Sequence, residues 1–154
     1  MLRVCRAVAG VDDADDAWSE TFLAALRAYP DLPEDANVGA WLVTIAHRKS
    51  IDLIRRRQRR AVPVAAVPER PSPTGVPGSA ERDVWDLVRA LPAKQRQTVA
   101  YHYLAGLPYA EIADIIGGTA EAARRAAADG IKALRRDQGL GRDQGLGRTE
   151  ENDE

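Results

Sequence analysis

The sequence is poor in the residues that build disulfides, metal sites and sheets. Its 154 residues include one cysteine, Cys5, and two histidines, His47 and His102. A single cysteine excludes an internal disulfide, and two histidines so far apart provide no zinc-ligand spacing. Aromatic residues make up only 5% of the chain, and the scarcity of β-branched residues favours helices over sheets. We therefore predict an all-α protein with no bound metal or cofactor, in which Cys5 is a small buried helix residue.

The sequence also lacks long apolar runs and the residue patterns of catalytic sites. No run approaches the roughly 20 apolar residues that a membrane-spanning helix needs. The two arginines within Met1–Ala9 are followed by acids from Asp12 onward, which is not the layout of a cleavable signal. There is no Gly-rich phosphate loop and no arrangement of Ser-His-Asp or Cys-His type. We predict a cytoplasmic protein that is not an enzyme and does not bind a membrane.

The formal net charge of -1 hides two blocks of opposite sign. Between Val11 and Asn37 there are eight acids against one base, and between Arg48 and Arg60 there are seven bases against one acid. Adjacent blocks of opposite sign indicate two different partner surfaces. The basic block would neutralise phosphates and make nucleic-acid binding salt-dependent. A solvated helix end is the alternative interpretation of the same block.

Composition divides the chain into four parts. Residues 1–60 and 80–136 are rich in helix formers, whereas residues 61–79 contain five prolines. So high a proline density prevents a helix and favours an extended linker. Residues 137–154 repeat the Gly-rich motif "DQGLGR" and end in acids, so disorder is expected there. The sequence predicts two small helical domains joined by a Pro-rich linker.

Apolar residues at helical spacing indicate six helices in these two domains. The first covers residues 13–29, and its predicted buried stripe consists of Ala14, Ala17, Trp18, Phe22, Ala25 and Leu26. The second begins near Val38 and runs into the basic block, with an apolar face of Val38, Trp41, Leu42, Ile45, Ala46 and Leu53. Residues 84–91 form a short helix that ends at Pro92, and the next helix ends at Gly106.

The last helices have the signature of a helix-turn-helix. Ala113 lies four residues before Gly117, which is the spacing of the small residue and the turn glycine in that motif. Thr119 is a suitable N-cap for the second helix. An ordinary helical hairpin is the alternative. The Ala-rich face of the second helix is predicted to pack closely against Tyr109–Ile116, with Asp129 able to pair along its own helix.

Three segments together are more specific than any one of them. In order, they read "DADDAWSETFLAALRAYP", "AWLVTIAHRKSIDLIRRRQRR" and "LPAKQRQTVAYHYLAGLPYAEIADIIGG". The chain resembles the extracytoplasmic-function sigma factors of bacterial RNA polymerase, in the sigma-70 family, from about Leu2 to Arg136. Region 2 then corresponds to residues 1–60, and region 4 to residues 80–136. The resemblance implies a specificity subunit that binds core RNA polymerase and directs promoter recognition and transcription initiation.

A stand-alone helix-turn-helix regulator of transcription is the alternative function. Such a protein would bind duplex DNA without polymerase. It would explain residues 109–136, but it would not explain the acidic helix, the basic helix or their order along the chain.

The resemblance also implies which residues contact each partner. The acidic helix would dock on the β′ clamp of polymerase through Asp13, Asp16, Glu20, Thr21 and Phe22. The loop Pro30–Asn37 would capture an unpaired base of the minus-ten element. The helix that follows would melt and hold this element, with phosphate contacts from Arg48, Lys49, Arg55, Arg56 and Arg59.

In region 4, the second helix of the helix-turn-helix would enter the major groove of the minus-thirty-five element. Its DNA-binding candidates are Thr119, Glu121, Arg124, Arg125 and Lys132. The same region would contact the β flap of polymerase. An anti-sigma factor is a further candidate partner.

The chain departs from the family pattern in three places. Family members usually have another helix before the acidic one, so we expect either a missing segment or a misassigned start at Met1. The capture loop carries Asp31, Glu34 and Asp35 where a more basic loop is common. The middle of the recognition helix is mostly alanine, so the helix offers few side chains that read bases. We therefore predict that region 4 has modest specificity and that the Arg48–Arg60 segment contributes a large share of promoter selection.

Overall fold

The computed structural model describes the backbone of residues 1–60 and 79–143, and the side chains of residues 1–60 and 84–137. In these ranges the regular structure is entirely helical, which confirms the prediction of an all-α protein. The helices are α1 (Leu2–Ala9), α2 (Ala14–Ala28), α3 (Val38–Arg60), α4 (Ser79–Ala90), α5 (Ala93–Val99), α6 (Tyr109–Ile116) and α7 (Ala120–Asp143). Within the described part, no helix combines the length and apolar character needed to cross a membrane. The predicted Pro-rich linker and the last eleven residues lie outside the described residues.

Helix α1 is buried on two sides, although the sequence did not predict it as a separate element. Cys5 and Ala9 pack with small residues of α2 and α3. Val4 and Val8 lie on another side and pack with residues of region 4. Cys5 is fully buried, which confirms it as a small core residue, and burial raises the pKa of its thiol to about 11.

Helix α2 buries a narrower stripe than its sequence predicts. The buried residues are Ala14, Ala17, Thr21 and Ala25. The predicted burial of two large residues is wrong, because Trp18 is 41% exposed and Leu26 is 71% exposed. The buried row consists of small residues, so α1 and α3 approach the α2 backbone closely and leave the larger neighbours outside. Thr21 is accommodated because its hydroxyl donates to the Ala17 carbonyl oxygen at 2.6 Å.

Helix α3 buries only part of the predicted face: Ala46 is buried and Val38 is exposed, while the rest are half-buried, namely Trp41, Leu42, Ile45 and Leu53. Its fully buried residues are Val43, Ala46 and Ser50, whereas Val38 is 45% exposed. The reason is that α3 has neighbours on two sides: α1 and α2 contact it within region 2, and α6 contacts it from region 4. At the start of the helix, the Asn37 side-chain oxygen accepts a hydrogen bond from the Ala40 N–H at 3.1 Å.

The helix-turn-helix forms with the predicted turn chemistry. Ala113 is buried, and the Gly117 N–H donates to its carbonyl oxygen at 2.8 Å. Gly117 and Gly118 have φ values of 81° and 114°, in a region that side chains rarely adopt. Thr119 caps α7, because its hydroxyl oxygen accepts the Ala122 N–H at 3.1 Å. These contacts fix the angle at which α7 leaves α6.

Helix α7 packs against α6, as predicted, and it also packs against α5, which the sequence did not predict. Ala123 and Ala127 are buried, and a Cβ added to Gly130 would lie 2.8 Å from the Val99 side chain. Gly130 therefore permits the close approach to α5. The helix also continues to Asp143, beyond the predicted end at Arg136.

Replacing Gly130 with alanine is expected to lower the free energy of unfolding by about 1 kcal/mol. The gain in helix propensity is about 1 kcal/mol, but forcing a methyl group against the stiff Val99 side chain costs about 1–3 kcal/mol. Urea denaturation measures the difference. In a Val99→Ala background the same substitution has room and is expected to be neutral or stabilising. An equal loss in both backgrounds would show that Val99 is not the obstacle.

One apolar core spans region 2 and region 4. Val4, Val8 and Val43 of region 2 belong to the same buried cluster as Tyr101 and Ile112 of region 4. The two halves therefore lie against each other in this structure rather than apart.

Polar contacts reinforce this shared core. The Tyr101 side chain is fully buried, and its hydroxyl lies 2.7 Å from the ring nitrogen Nδ1 of His47. Burial raises the pKa of Tyr101, whereas burial and the nearby Arg48 charge lower the pKa of His47. At the surface, the Asn37 amide donates to both carboxylate oxygens of Glu111 at 3.0 and 3.1 Å.

Candidate nucleic-acid interface

The acidic helix α2 lies beside the basic end of α3 and pairs with part of it. Glu20 reaches Arg56 at 3.1 Å and Lys49 at 3.7 Å. Asp13 reaches Arg57 at 3.0 Å. These side chains are partly exposed, and such pairs contribute at most about 1 kcal/mol each. Their main effect is to reduce the positive charge that Lys49 and Arg56, two of the predicted phosphate contacts, can offer to DNA, because both lie beside the same carboxylate.

A second row of bases on α3 has no such partner. Arg48, Arg55 and Arg59 are seven and four residues apart, so they lie along one side of the helix. All three are exposed, and none forms an ion pair with another side chain of the described ranges. A shallow groove lined by Arg55, Arg59, Asp52 and Gln58 runs along this side. We call Arg48, Arg55 and Arg59 the free basic row; it presents three positive charges to solvent with one acid among them.

The exposed side of α2 carries large apolar residues that the helical spacing predicted to be buried. Trp18, Phe22 and Leu26 are four residues apart and share one flank of the helix, with the Trp18 and Phe22 ring centroids 4.9 Å apart. Tyr29, just after the helix, is 63% exposed. We call these four residues the apolar flank. The sequence could have predicted that this flank is exposed, because the small residues at positions 14, 17, 21 and 25 already form a complete row for burial.

The five residues predicted to bind polymerase lie on different sides of α2. Asp16 is exposed and Phe22 belongs to the apolar flank. Asp13 and Glu20 lie on the side that meets α3, where they pair with its bases. Thr21 is fully buried, so its side chain does not reach the surface.

The segment predicted to capture a base begins at a single 3-10 turn, Tyr29–Asp31. Its acids, Asp31, Glu34 and Asp35, are all exposed. The segment ends at Asn37, whose side chain both caps α3 and bonds to Glu111 of region 4. The predicted capture loop is therefore tied to the helix-turn-helix at its C-terminal end.

The N-terminal end of α7 is exposed, and an acid on the same helix partly offsets its positive charge. Glu121 pairs with Arg124 at 3.0 Å and with Arg125 at 3.6 Å. Arg125 thus pairs with Glu121 rather than with Asp129, contrary to the pairing considered from the sequence. Arg124 also lies 5.7 Å from the centre of the Tyr109 ring.

The other two DNA-binding candidates of region 4 differ in whether their side chains are free to contact DNA. The Thr119 hydroxyl is used as the helix cap. Lys132 is exposed, about three turns further along α7. The structure therefore brings Thr119, Glu121, Arg124 and Arg125 together at one end of the helix and leaves Lys132 apart from them.

Comparisons with known families agree with this arrangement of surfaces. Residues 1–60 match the family described as Sigma-70 region 2. Residues 81–134 match the family described as Sigma-70, region 4. The two matches therefore include the acidic and basic helices on one side and the helix-turn-helix on the other.

Individual proteins are similar over most of their length. The "ECF RNA polymerase sigma factor SigD" of Mycobacterium bovis is 30% identical over 148 residues, which cover 88% of this chain and 70% of that protein. The "ECF RNA polymerase sigma factor SigK" of Mycobacterium ulcerans is 27% identical over 143 residues, covering 86% of this chain and 75% of that protein. The fold is shared with the sigma factor RpoE in its complex with the anti-sigma factor NepR from Bartonella quintana, with a TM-score of 0.69, 22% identity and 88% of both chains covered. The chain therefore belongs to the extracytoplasmic-function sigma factors of the sigma-70 family, which direct promoter recognition by RNA polymerase.

Proposed function

We propose that this sigma factor binds the melted minus-ten element mainly through the free basic row of α3. The observation that carries the proposal is the division of the basic block by α2. Glu20 partly offsets the charges of Lys49 and Arg56. Arg48, Arg55 and Arg59 form no ion pair in the described ranges, and Arg55 and Arg59 line a groove on their side of the helix. A basic groove that follows the backbone is the electrostatic requirement for holding a single strand.

Region 4 contributes a weaker reading surface in this proposal. The N-terminal end of a recognition helix is the part that meets base edges. Here that end presents Arg124 and Arg125, whose charges are partly offset by Glu121. The two arginines can approach phosphates and bases of the minus-thirty-five element once they turn from Glu121 to DNA. Lys132 and the Thr119 end of α7 complete the predicted contact set, while another side of region 4 meets the β flap of polymerase.

Polymerase docking is assigned to the outer side of α2. Asp16 and Phe22 remain candidates, and the apolar flank adds Trp18 and Leu26 as anchors for the β′ clamp. Large apolar side chains at the centre of an interface usually carry most of its binding energy. Asp13 and Glu20 support the interface indirectly, by fixing α2 against α3.

The chain acts without catalysis of its own, in the cytoplasm, where polymerase and promoter DNA are found. An anti-sigma factor is a candidate regulator, because the solved sigma factor that shares the fold is in complex with one. Transcription from promoter libraries with purified core enzyme tests the whole proposal. Promoter-specific transcripts that require the chain are the expected result.

The same material tests the alternative of a stand-alone regulator. A gel shift with duplex DNA and no polymerase would show tight, sequence-specific binding for such a protein. We expect weak binding, because the recognition helix has few basic side chains whose charge is not offset by a neighbouring acid. Tight binding together with no promoter-specific transcripts would reject the proposed function.

Replacing Arg55 and Arg59 with alanine is expected to weaken promoter binding by the holoenzyme and to flatten its salt dependence. Two lost phosphate contacts reduce the slope of log affinity against log salt by about 1.4 to 1.8. Binding measured at several salt concentrations gives this slope directly. Thermal unfolding of the free chain serves as a check that the variant folds.

The matched control removes two charges from the other side of the same helix. Lys49→Ala with Arg56→Ala is expected to change the slope by less than about 1, because Glu20 already offsets these charges. If both double variants reduced the slope of log affinity against log salt equally, the ion pairs with α2 would not determine which bases of α3 contact DNA.

A further inference from the structure

We infer that Tyr109 is a positioning residue for the recognition helix: its ring holds Arg124, which reads a guanine of the minus-thirty-five element, while Arg125 contacts phosphate. The inference deepens the proposed function and rests on it, because it says which of the two arginines selects a base. It follows from a stack of rings beside α7 and from the different contacts of the two arginines.

The ring stack joins the end of α5 to the start of α6. After α5 the chain continues as one π-helical turn, Ala100–Leu104. Single π-helical turns of this kind are frequent at functional sites. The turn carries His102, whose ring centroid lies 4.2 Å from that of Tyr109 at an interplanar angle of 21°. The first residue of α6 is therefore stacked on the turn that precedes it.

Hydrogen bonding and packing hold the stack in place. The His102 Nδ1–H donates to the Leu107 carbonyl oxygen at 2.8 Å, and the Leu107 side chain is buried. The Tyr103 ring lies nearly perpendicular to the His102 ring, with centroids 4.9 Å apart. With these contacts around His102, the Tyr109 ring has a defined orientation at the end of the helix-turn-helix that faces the start of α7.

Arg124 lies over this ring, and Arg125 does not. The Arg124 guanidinium carbon is 5.7 Å from the Tyr109 ring centroid, which is within the range of a cation–π contact. Among the described side chains, Arg125 forms an ion pair with Glu121 at 3.6 Å and makes no ring contact. Partial burial and the neighbouring Tyr103 raise the pKa of Tyr109. The phenol is therefore neutral near pH 7, and its ring face attracts the cation.

The two contacts of Arg124 differ in whether they compete with DNA. Its ion pair with Glu121, at 3.0 Å, occupies guanidinium N–H groups that a base would also need. An aromatic ring attracts the charge of the guanidinium and takes none of its N–H donors. Arg124 can therefore exchange Glu121 for a base edge while Tyr109 still limits its rotamers.

A guanidinium with few rotamers is suited to guanine. Its planar fork donates two hydrogen bonds to O6 and N7 of guanine, the commonest specific contact in the major groove. Arg124 lies in the N-terminal part of α7, which is the part of a recognition helix that meets base edges. Arg125 has no ring to restrict it in the described structure, so it is suited to phosphate, whose contacts carry no sequence information.

Selection of promoter sequences by the holoenzyme tests the inference. The library varies the minus-thirty-five element, and the bound sequences give the preference for each base at each position. Arg124→Ala is expected to lower the preference for guanine at one position about tenfold or more. Tyr109→Leu is expected to lower it at the same position about two- to fivefold, the effect of losing an exposed cation–π contact. Tyr109→Phe keeps the ring and should keep the wild-type preference.

Two further measurements separate positioning from other roles. In an Arg124→Ala background, Tyr109→Leu is expected to cause no further change in base preference, because the ring acts through Arg124. Arg125→Ala is the matched control on the same helix. It should weaken binding to all sequences alike and reduce the slope of log affinity against log salt by about 0.9. Thermal unfolding of each free variant checks that it folds.

Three results would overturn the inference. The first is a wild-type preference in Tyr109→Leu, and the second is an equal loss in Tyr109→Phe and Tyr109→Leu. The third is a change caused by Tyr109→Leu that has the same size with and without Arg124.

Failure of the proposed function has a different signature, namely a wild-type holoenzyme that prefers no base in the minus-thirty-five element. NMR of the free chain then tests the contact by itself. The ring current of residue 109 is expected to shift the Arg124 Nε–H signal upfield in the wild type and Tyr109→Phe, and not in Tyr109→Leu. The same signal in all three proteins would show that the ring does not hold Arg124.

Discussion

Replacing Tyr101 with alanine is expected to lower the free energy of unfolding by about 3–5 kcal/mol, the cost of emptying a large aromatic site in a core. Among the residues whose side chains the structure describes, Tyr101 is the largest that is fully buried, and it lies in the cluster that region 2 and region 4 share. The substitution also removes the hydroxyl that bonds to His47. Urea denaturation followed by circular dichroism measures the loss.

Two further variants separate the causes of this loss. Tyr101→Phe keeps the ring and removes only the hydroxyl, so it is expected to cost about 1 kcal/mol. Tyr103→Ala removes a tyrosine two residues away that is 57% exposed, and it should change stability by no more than about 0.5 kcal/mol. A loss below 1 kcal/mol for Tyr101→Ala would show that the shared core does not depend on this residue.

The position of Tyr101 illustrates what sequence periodicity can and cannot predict. The sequence predicted the bounds of α6, Tyr109–Ile116, with the turn glycine Gly117 directly after the last residue. The same local signals predicted the cap at Thr119. Burial of Tyr101 has no such signal, because its partners Val43 and His47 are more than fifty residues away in the sequence. Contacts between regions depend on how whole helices dock, which a local pattern does not encode.

Helix α2 shows a second limit, which concerns the width of a buried stripe. A spacing of three and four residues predicts which residues share a side of a helix. It does not predict how closely the neighbouring helices approach. In α2 the neighbours meet a row of alanines and Thr21, so Trp18 and Leu26 remain outside. Size was a better guide than hydrophobicity here, because only small residues allow the observed approach.

The charged blocks show a third limit of prediction from sequence: it does not give the rotation of one helix against another. Composition predicted an acidic helix, a basic helix and two partner surfaces. The rotation of α2 against α3 then decides that Glu20 meets Lys49 and Arg56, whereas Arg55 and Arg59 stay unpaired within the described structure. Neighbouring arginines therefore differ in whether they can bind phosphate, although nothing in the sequence distinguishes them.

Replacing Trp18 and Leu26 together with alanine is expected to weaken binding to core polymerase about thirtyfold or more, while folding is nearly unaffected. Trp18 and Leu26 are 41% and 71% exposed, so their removal leaves no closed cavity. Loss of the ring contact between Trp18 and Phe22 should lower the free energy of unfolding by about 1 kcal/mol. At an interface the same side chains are anchors of the kind that cost 2 kcal/mol or more when truncated. An isolated exposed leucine needs no explanation, but four large apolar residues on one flank indicate a binding surface.

Competition with a labelled sigma factor for core polymerase measures the affinity. The matched control is Leu23→Ala, because Leu23 is 56% exposed on the same helix but is rotated about 100° around it from Phe22, the middle of the apolar flank; its affinity should stay within about threefold of wild type. Glu20→Gln separates charge from apolar contact, since it releases Lys49 and Arg56 without altering the flank. It is expected to change the salt dependence of binding more than the affinity at high salt, where screening removes exposed charge effects. If the double alanine variant bound polymerase as tightly as wild type while Glu20→Gln did not, docking would depend on the acids of α2, and the apolar flank would have no part in it.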